Sequence, residues 1–181
     1  MKFHDRLAAL LFAAALTATL SAPAAAATSE VSPTGFIVSL RYEVNATPHR
    51  LWESLGDVGK RWNSSHTWSG NAANLILSRQ ASGCFCERWG ANSVEHGRVV
   101  HAAEDSVLRL QGGLGPLQAL AVDAVLTFAI AQKDGKTVLQ VTYCVSGNAS
   151  AGLRDLAGPV DGVIGEQARR LVAYAETGKP D

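Results

Sequence analysis

Glu87, His96 and Arg98 come nearest to a reactive set in this sequence. They fall on two consecutive stretches, Cys84 to Trp89 and Val94 to Ala102, joined by Gly90-Ala91-Asn92-Ser93, which is hairpin material. If Trp89 pairs with Val94, Glu87 stands opposite His96 and Phe85 opposite Arg98. Side chains alternate along a strand, so Glu87, His96 and Arg98 then share one face, and Cys84 and Cys86 the other. A carboxylate beside an imidazole raises its pKa and can make a proton-transfer pair. That chemistry needs the charged face turned inward. The burial habits of the residue types favour the reverse, with Cys84, Cys86 and Val99 toward a cavity and the charged set in water. A one-residue change of register would rearrange every one of these partners.

Other chemistry finds less support. Cys84, Cys86, His96 and His101 could be imagined around a metal, but Cys-x-Cys with two histidines five apart matches no established ligand spacing. No G-x-S-x-G elbow or H-E-x-x-H pair is present. Gly112, Gly113 and Gly115 lack the lysine and helix start of a phosphate loop, and suit a flexible cavity mouth with Leu114 and Leu117 as its apolar lip. The expectation is no metal and no cofactor. Cys84, Cys86 and Cys144 are an odd count, so at least one thiol stays free or pairs between chains. Cys84 and Cys86 point to one face of an extended strand near the limit of bridging distance, which disfavours a bond between them.

The elements that must position these residues follow from periodicity. Phe36, Val38, Leu40, Tyr42 and Val44 alternate with Ser39, Arg41 and Glu43, a half-buried strand. Thr47-Pro48 starts a short helix carrying Leu51, Trp52 and Leu55, and a second helical piece ends near Trp62. Further strands are expected at Leu75–Arg79, Cys84–Trp89, Val94–Ala102, Ser106–Gln111, Val122–Ile130 and Thr137–Val145, the last two joined at Asp134-Gly135. Pro159 opens a helix with a stripe of Val160, Val163, Ile164, Ala168, Leu171, Val172 and Ala175, and Leu153–Ala157 forms a separate helical turn before it. Seven antiparallel strands with one apolar face must bury that face, and only the last helix has the length to cover it. Trp52 reads as core beneath the short helices, while Trp62 and Trp68 suit either core or a cavity wall. Tyr143 needs a partner for its hydroxyl if buried, as a ligand anchor or as a satisfied core tyrosine.

The N-terminus reads as a leader. Lys2 and Arg6 precede an uncharged run, Leu7–Leu20, and the small residues Ser21–Ala27 offer an A-x-A exit. The run is shorter than the ~20 residues of a spanning helix. The expected organisation is a cleaved signal peptide over residues 1–27 and one domain over 28–181, exported to a periplasm or outside the cell. Removing Lys2, Arg6 and Asp5 takes 16 basic and 16 acidic residues to 14 and 15. That near-neutral balance, without a basic stripe, argues against nucleic acid as a partner. No second run is long enough to span a bilayer.

Several pieces, in order and spacing, resemble one superfamily: Asn45-Ala46-Thr47-Pro48 with Leu51-Trp52; Asp57–Trp62; Ser82-Gly83-Cys84-Phe85-Cys86-Glu87; Leu114-Gly115-Pro116-Leu117; Asp134-Gly135 with Thr137 and Tyr143; and Val160-Asp161, Gln167 and Leu171. Over Phe36–Glu176 the chain is similar to the SRPBCC superfamily, also called START-like or helix-grip. Within it the chain resembles the polyketide cyclase/dehydrase group and the branch named after the activator of a heat-shock-protein ATPase. The resemblance implies an α+β helix-grip fold: a curved seven-stranded antiparallel sheet, two short helices after the first strand, and a long C-terminal helix over an internal cavity. Superfamily members carry lipids, bind hormones and other small apolar molecules, cyclise polyketides or assist a chaperone, so fold alone does not choose among them.

The expected function is an exported carrier of a small apolar molecule, with no protein partner. The expected ligand-binding residues are Trp62, Trp68, Phe85, Leu114, Leu117, Leu126, Phe128, Val141, Tyr143, Val163, Ile164 and Leu171, with the Phe36–Val44 strand as further lining. The alternatives are a cyclase or dehydratase using Glu87 and His96, and a protein-interaction module of the chaperone-activator kind.

Overall fold

A computed structural model of the protein describes residues 27–181, with side chains from Glu30 onward. The expected leader lies, apart from Ala27, outside the described residues. Eight strands form one open antiparallel sheet: β1 (Ala27–Ser32), β2 (Gly35–Val44), β3 (Leu75–Leu77), β4 (Cys84–Trp89), β5 (Asn92–Ala103), β6 (Val107–Gln111), β7 (Val122–Lys133) and β8 (Lys136–Gly147). Their order across the sheet is β1-β2-β8-β7-β6-β5-β4-β3. Helices α1 (Pro48–Gly56) and α2 (Val58–Arg61) follow β2, and α3 (Leu153–Thr177) closes the chain. This is the α+β helix-grip arrangement, with eight strands where seven were expected. The added strand is β1, which pairs with β2 through a turn at residues 33–34. Its short, polar sequence carries no alternation from which to read a strand.

The apolar faces account for the packing. Phe36, Val38, Leu40 and Val44 of β2, and Leu139, Val141, Tyr143 and Val145 of β8, are buried on one side of the sheet. Ile164, Ala168, Leu171 and Ala175 of α3 join the same core. Thr47 caps α1, its hydroxyl accepting from Arg50 N at 3.1 Å, with Pro48 at the first helical position. Leu51, Trp52 and Leu55 bury the inner face of α1, so Trp52 is core, as its spacing indicates.

Arg61 is a feature that the sequence pattern does not announce. It is wholly buried, and its guanidinium donates to the carbonyls of Ser54 at 2.8 Å and Leu55 at 3.2 Å. These are carbonyls of the last turn of α1, which has no intrahelical partners there. Burial pushes the Arg61 pKa down to about 10, against the favourable charge of Asp57. The side chain remains a cation and fixes where α1 ends and the cavity wall at Trp62 begins.

The C-terminal helix departs from expectation. Leu153–Ala157 is not a separate turn, and Pro159 lies inside a continuous 25-residue helix. Proline removes the N–H that would bond the Asp155 carbonyl. The loss is tolerable because Asp155, Gly158 and Pro159 are all on the exposed side. Among the described residues, no helix is long and apolar enough to cross a membrane.

Candidate functional site

The β4–β5 hairpin turns two residues earlier than the expected register. Trp89 pairs with Asn92 across Gly90-Ala91, with Gly90 at φ 54° in the position that a tight hairpin turn reserves for glycine. Glu87 therefore pairs with Val94, and His96 lies diagonal to it. A two-residue slip preserves which face each side chain occupies, so Glu87 and His96 still share a face. A bulge between Phe85 and Cys86 then breaks the alternation. Beyond it, Arg98 turns outward and forms a 2.7 Å ion pair with Glu95 in water, so it does not join Glu87 and His96.

That shared face points inward, contrary to the facing that residue burial habits favour. Glu87 is 0 % exposed and His96 6 %. The cost of burying the carboxylate is met by hydrogen bonds. Glu87 Oε1 accepts from Ser69 N at 2.6 Å, and Oε2 accepts from Trp68 N at 3.0 Å and lies 3.1 Å from His96 Nε2. Burial raises the Glu87 pKa, but the bonds from Ser69, Trp68 and His96 outweigh it and hold the carboxyl below its usual range. Burial pushes the His96 pKa down, against the opposing pull of Glu87. The result is a neutral imidazole backed by an ionised carboxylate. A carboxylate without a proton can only accept, so His96 carries its hydrogen on Nε2.

His96 is one wall of a cavity of about 340 Å³. Phe85 stacks near it, ring centroids 4.9 Å apart, and Trp62 meets Phe85 edge-on at 5.4 Å. The 65–68 segment, Leu114-Gly115-Pro116, and Leu156, Pro159, Val160, Val163 and Ile164 of α3 complete the lining. No acidic residue, lysine or arginine belongs to it. Trp68, 56 % exposed, stands at the rim.

The segment from Trp62 to Ser69 crosses the cavity as a strap tied at both ends. On the α3 side, Asn63 Nδ2 donates to Glu166 Oε1 at 2.5 Å, Asn63 N donates to Gln167 Oε1 at 3.0 Å, and His66 Nε2 lies 3.0 Å from Glu166 Oε2. The hydrogen bond from Asn63, opposed by burial and joined by His66, holds the Glu166 pKa low. On the β4 side Glu87 holds Trp68 and Ser69. Each end is thus a carboxylate that also engages a cavity-lining histidine. His66 and Glu166 are residues that sequence reasoning misses, since 100 positions separate them and no local pattern joins them.

Of the twelve expected ligand-binding residues, Trp62, Trp68, Phe85, Leu114, Val163 and Ile164 line this cavity. Leu117, Leu126, Phe128, Val141, Tyr143 and Leu171 do not; they are buried in the packed core. The Phe36–Val44 strand contributes nothing to this lining; Phe36 and Ile37 border a separate pocket near β1. The reason is close packing: α1 and the C-terminal half of α3 fill the middle of the grip, leaving open only the end where α3 faces the strap. Tyr143 proves to be a satisfied core tyrosine. Its hydroxyl donates to Gly112 O at 3.1 Å and accepts from Leu114 N at 2.9 Å, which pins the loop that supplies Leu114 to the cavity. Burial, offset in part by the Leu114 N–H, pushes its pKa up to about 12.

Cys84 and Cys86 form a disulfide, which corrects the expectation that they stay apart. Their Cα atoms lie 5.4 Å apart, within the disulfide range. Cys144 is free and exposed. The imagined metal set is not assembled: the cysteines lie on the face opposite His96, and His101 is exposed. Among the described residues, the potential ligand groups are Cys84, Cys86 and Glu95, and His49, Glu104 and Asp105, and neither contains a residue of the cavity lining.

No family model and no curated protein matches the sequence. Solved structures do share the fold. The chain is similar to a protein from Rhodobacter sphaeroides, at 16 % identity and a TM-score of 0.56, over 82 % of this chain and 95 % of the other. It is similar to the Aha1 dimer from Colwellia psychrerythraea, at 12 % identity and 0.52, over 79 % and 98 %. It is also similar to CalU16 from Micromonospora echinospora, at 11 % identity and 0.52, over 81 % and 78 %. At these identities the likeness is one of fold, and it establishes the helix-grip architecture independently of the sequence motifs.

Proposed function

We propose that this protein binds and carries a small, largely apolar molecule in the cavity beneath the strap. The observation that carries this reading is the cavity itself: about 340 Å³ walled by Trp62, Phe85, Leu114, Val163 and Ile164, with no charged residue in its lining. Such a concave apolar site with a few convergent polar atoms is the usual form of a small-molecule site. We propose further that the chain is exported, on the leader-like residues 1–27 and in keeping with a disulfide at Cys84–Cys86, which persists in oxidising compartments. Recovering the mature protein from its own host and analysing an organic extract by mass spectrometry tests both claims. The expected result is a chain beginning near Thr28 with one reproducible apolar companion. A chain that retains its leader contradicts export, and a reproducibly empty protein contradicts carriage.

A second reading, a cyclase- or dehydratase-type enzyme, is favoured by one observation: His96 is a neutral, oriented base inside the cavity. Glu87 serves it as a positioning residue, setting the tautomer as in other carboxylate–histidine pairs. Deuterium exchange at the position α to the carbonyl of 2-acetylnaphthalene, abolished by His96→Phe, would support it; exchange no faster than in buffer would remove it.

A further inference from the structure

The two histidines of the cavity share a feature that bears on which molecules it accepts. His96 Nε2 faces Glu87 Oε2 at 3.1 Å, and His66 Nε2 faces Glu166 Oε2 at 3.0 Å. An ionised carboxylate accepts and never donates, so both rings carry a proton on Nε2, and the neutral His96 ring offers a bare lone pair at Nδ1. Among the described residues, neither Nδ1 makes a hydrogen bond with the protein. Three other polar groups near the lining are already engaged. Trp62 Nε1 donates to His66 O at 3.0 Å, Thr67 Oγ1 donates to Ser64 O at 2.7 Å, and Tyr143 is tied to Gly112 and Leu114.

We infer that the cavity selects uncharged ligands that carry a hydrogen-bond donor, a hydroxylated aromatic rather than a carboxylic acid, received by the free Nδ1 of His96. The inference rests on the carrier reading above and names the ligand class of that site. A hydroxyl arriving at Nδ1 finds a partner that is otherwise unmatched, worth the roughly tenfold discrimination that about 1.4 kcal/mol of net hydrogen bonding gives. A methyl ether of the same shape has no donor and leaves the lone pair buried and empty. A carboxylate fares worse. It meets the His96 lone pair with the Glu87 carboxylate behind it, and no lysine or arginine in the wall to offset its lost hydration. The aromatic preference comes from Trp62, Trp68 and Phe85, whose rings line the same space.

The test is a calorimetric or tryptophan-quenching titration of the whole mature chain with 2-naphthol, 2-methoxynaphthalene and 2-naphthoate. It is run at about pH 7.5, above the usual imidazole value of about 6.5. The expected order places 2-naphthol about tenfold or more ahead of the ether, with the carboxylate weakest. His96→Phe should retain the ether and lose the advantage of the naphthol. His96→Leu provides the same comparison if the first variant folds poorly. Equal binding of naphthol and ether, or tighter binding of 2-naphthoate, overturns the inference while leaving the carrier reading standing. Failure of all three to bind overturns both.

Discussion

His96 Nε2 lies 3.1 Å from Glu87 Oε2 even though the two residues are not paired in the β4–β5 ladder. Glu87 pairs with Val94, and His96, two residues further along β5, shares that face and meets it diagonally. One carboxylate thereby orients an imidazole and holds the backbone of the strap at Trp68 and Ser69. The cavity wall and its rim are fastened to the same atoms.

Glu87 should therefore matter to stability in a pH-dependent way. Its folded pKa is depressed, so its contribution is fully present above the unfolded carboxylate value of about 4.3 and is lost as pH falls through the folded value. Glu87→Gln keeps the volume but turns an amide N–H toward groups that need an acceptor. Urea denaturation near pH 7 should show a loss of about 1–3 kcal/mol. The gap to the unmodified protein should close below about pH 4. A gap that is constant across that range would contradict the assignment.

His96 adds a second loss of stability on acidification, at higher pH than that of Glu87. Its folded pKa lies below that of the unfolded chain, so the folded state resists the proton and stability declines as pH falls from about 6.5 toward the folded value. In an NMR titration its ring resonances should still report a neutral imidazole at about pH 6, after a free histidine has begun to charge. The Nε2–H tautomer should be visible in the nitrogen shifts. An Nδ1–H tautomer, or a midpoint above that of free imidazole, would refute the described geometry.

Removing the Tyr143 hydroxyl should loosen the cavity rather than remove a ligand anchor. Tyr143→Phe leaves Gly112 O and Leu114 N without their shared partner, at a cost of about 1–3 kcal/mol. Hydrogen exchange at the Leu114 amide should rise well beyond the global change. Ligand affinity should fall only modestly, because the hydroxyl is committed to the loop. A complete loss of binding in a well-folded variant would restore Tyr143 as a direct contact.

Arg61 supports the wall from below. Arg61→Met should destabilise the chain by about 3 kcal/mol or more, since the terminal carbonyls of α1 lose a charged donor in a dry setting. The near-ultraviolet signal of Trp62, the next residue, should change with it. An effect under about 0.5 kcal/mol, the size of an ordinary surface substitution, would contradict this role.

The long-period features of this architecture are legible in the residues and the local contacts are not. Alternation from Phe36 to Val44 and from Val122 to Val145, together with the stripe from Val160 to Ala175, suffices for a sheet gripping a terminal helix. It also suffices to put Glu87 and His96 on one face, because parity survives a two-residue slip. The bulge opposite Phe85–Cys86 has no signature in alternation, and it decides the outward turn of Arg98. Pairs such as His66–Glu166 and Arg61–Ser54 depend on how loops close onto helices. Burial habits misjudged Glu87 because they average over isolated charges, and this one accepts bonds from Trp68, Ser69 and His96 at once. Apolar alternation marks a buried face but does not distinguish a face packed solid, as at Leu126 and Val141, from one left open.

The most direct test of the account is a crystal structure of the mature chain soaked with 2-naphthol. The expected result is a single bound molecule between Trp62, Phe85 and Ile164, its hydroxyl within hydrogen-bond distance of His96 Nδ1. Density for the probe only on the outer surface of the sheet, with the space beneath the strap filled by side chains, would contradict it.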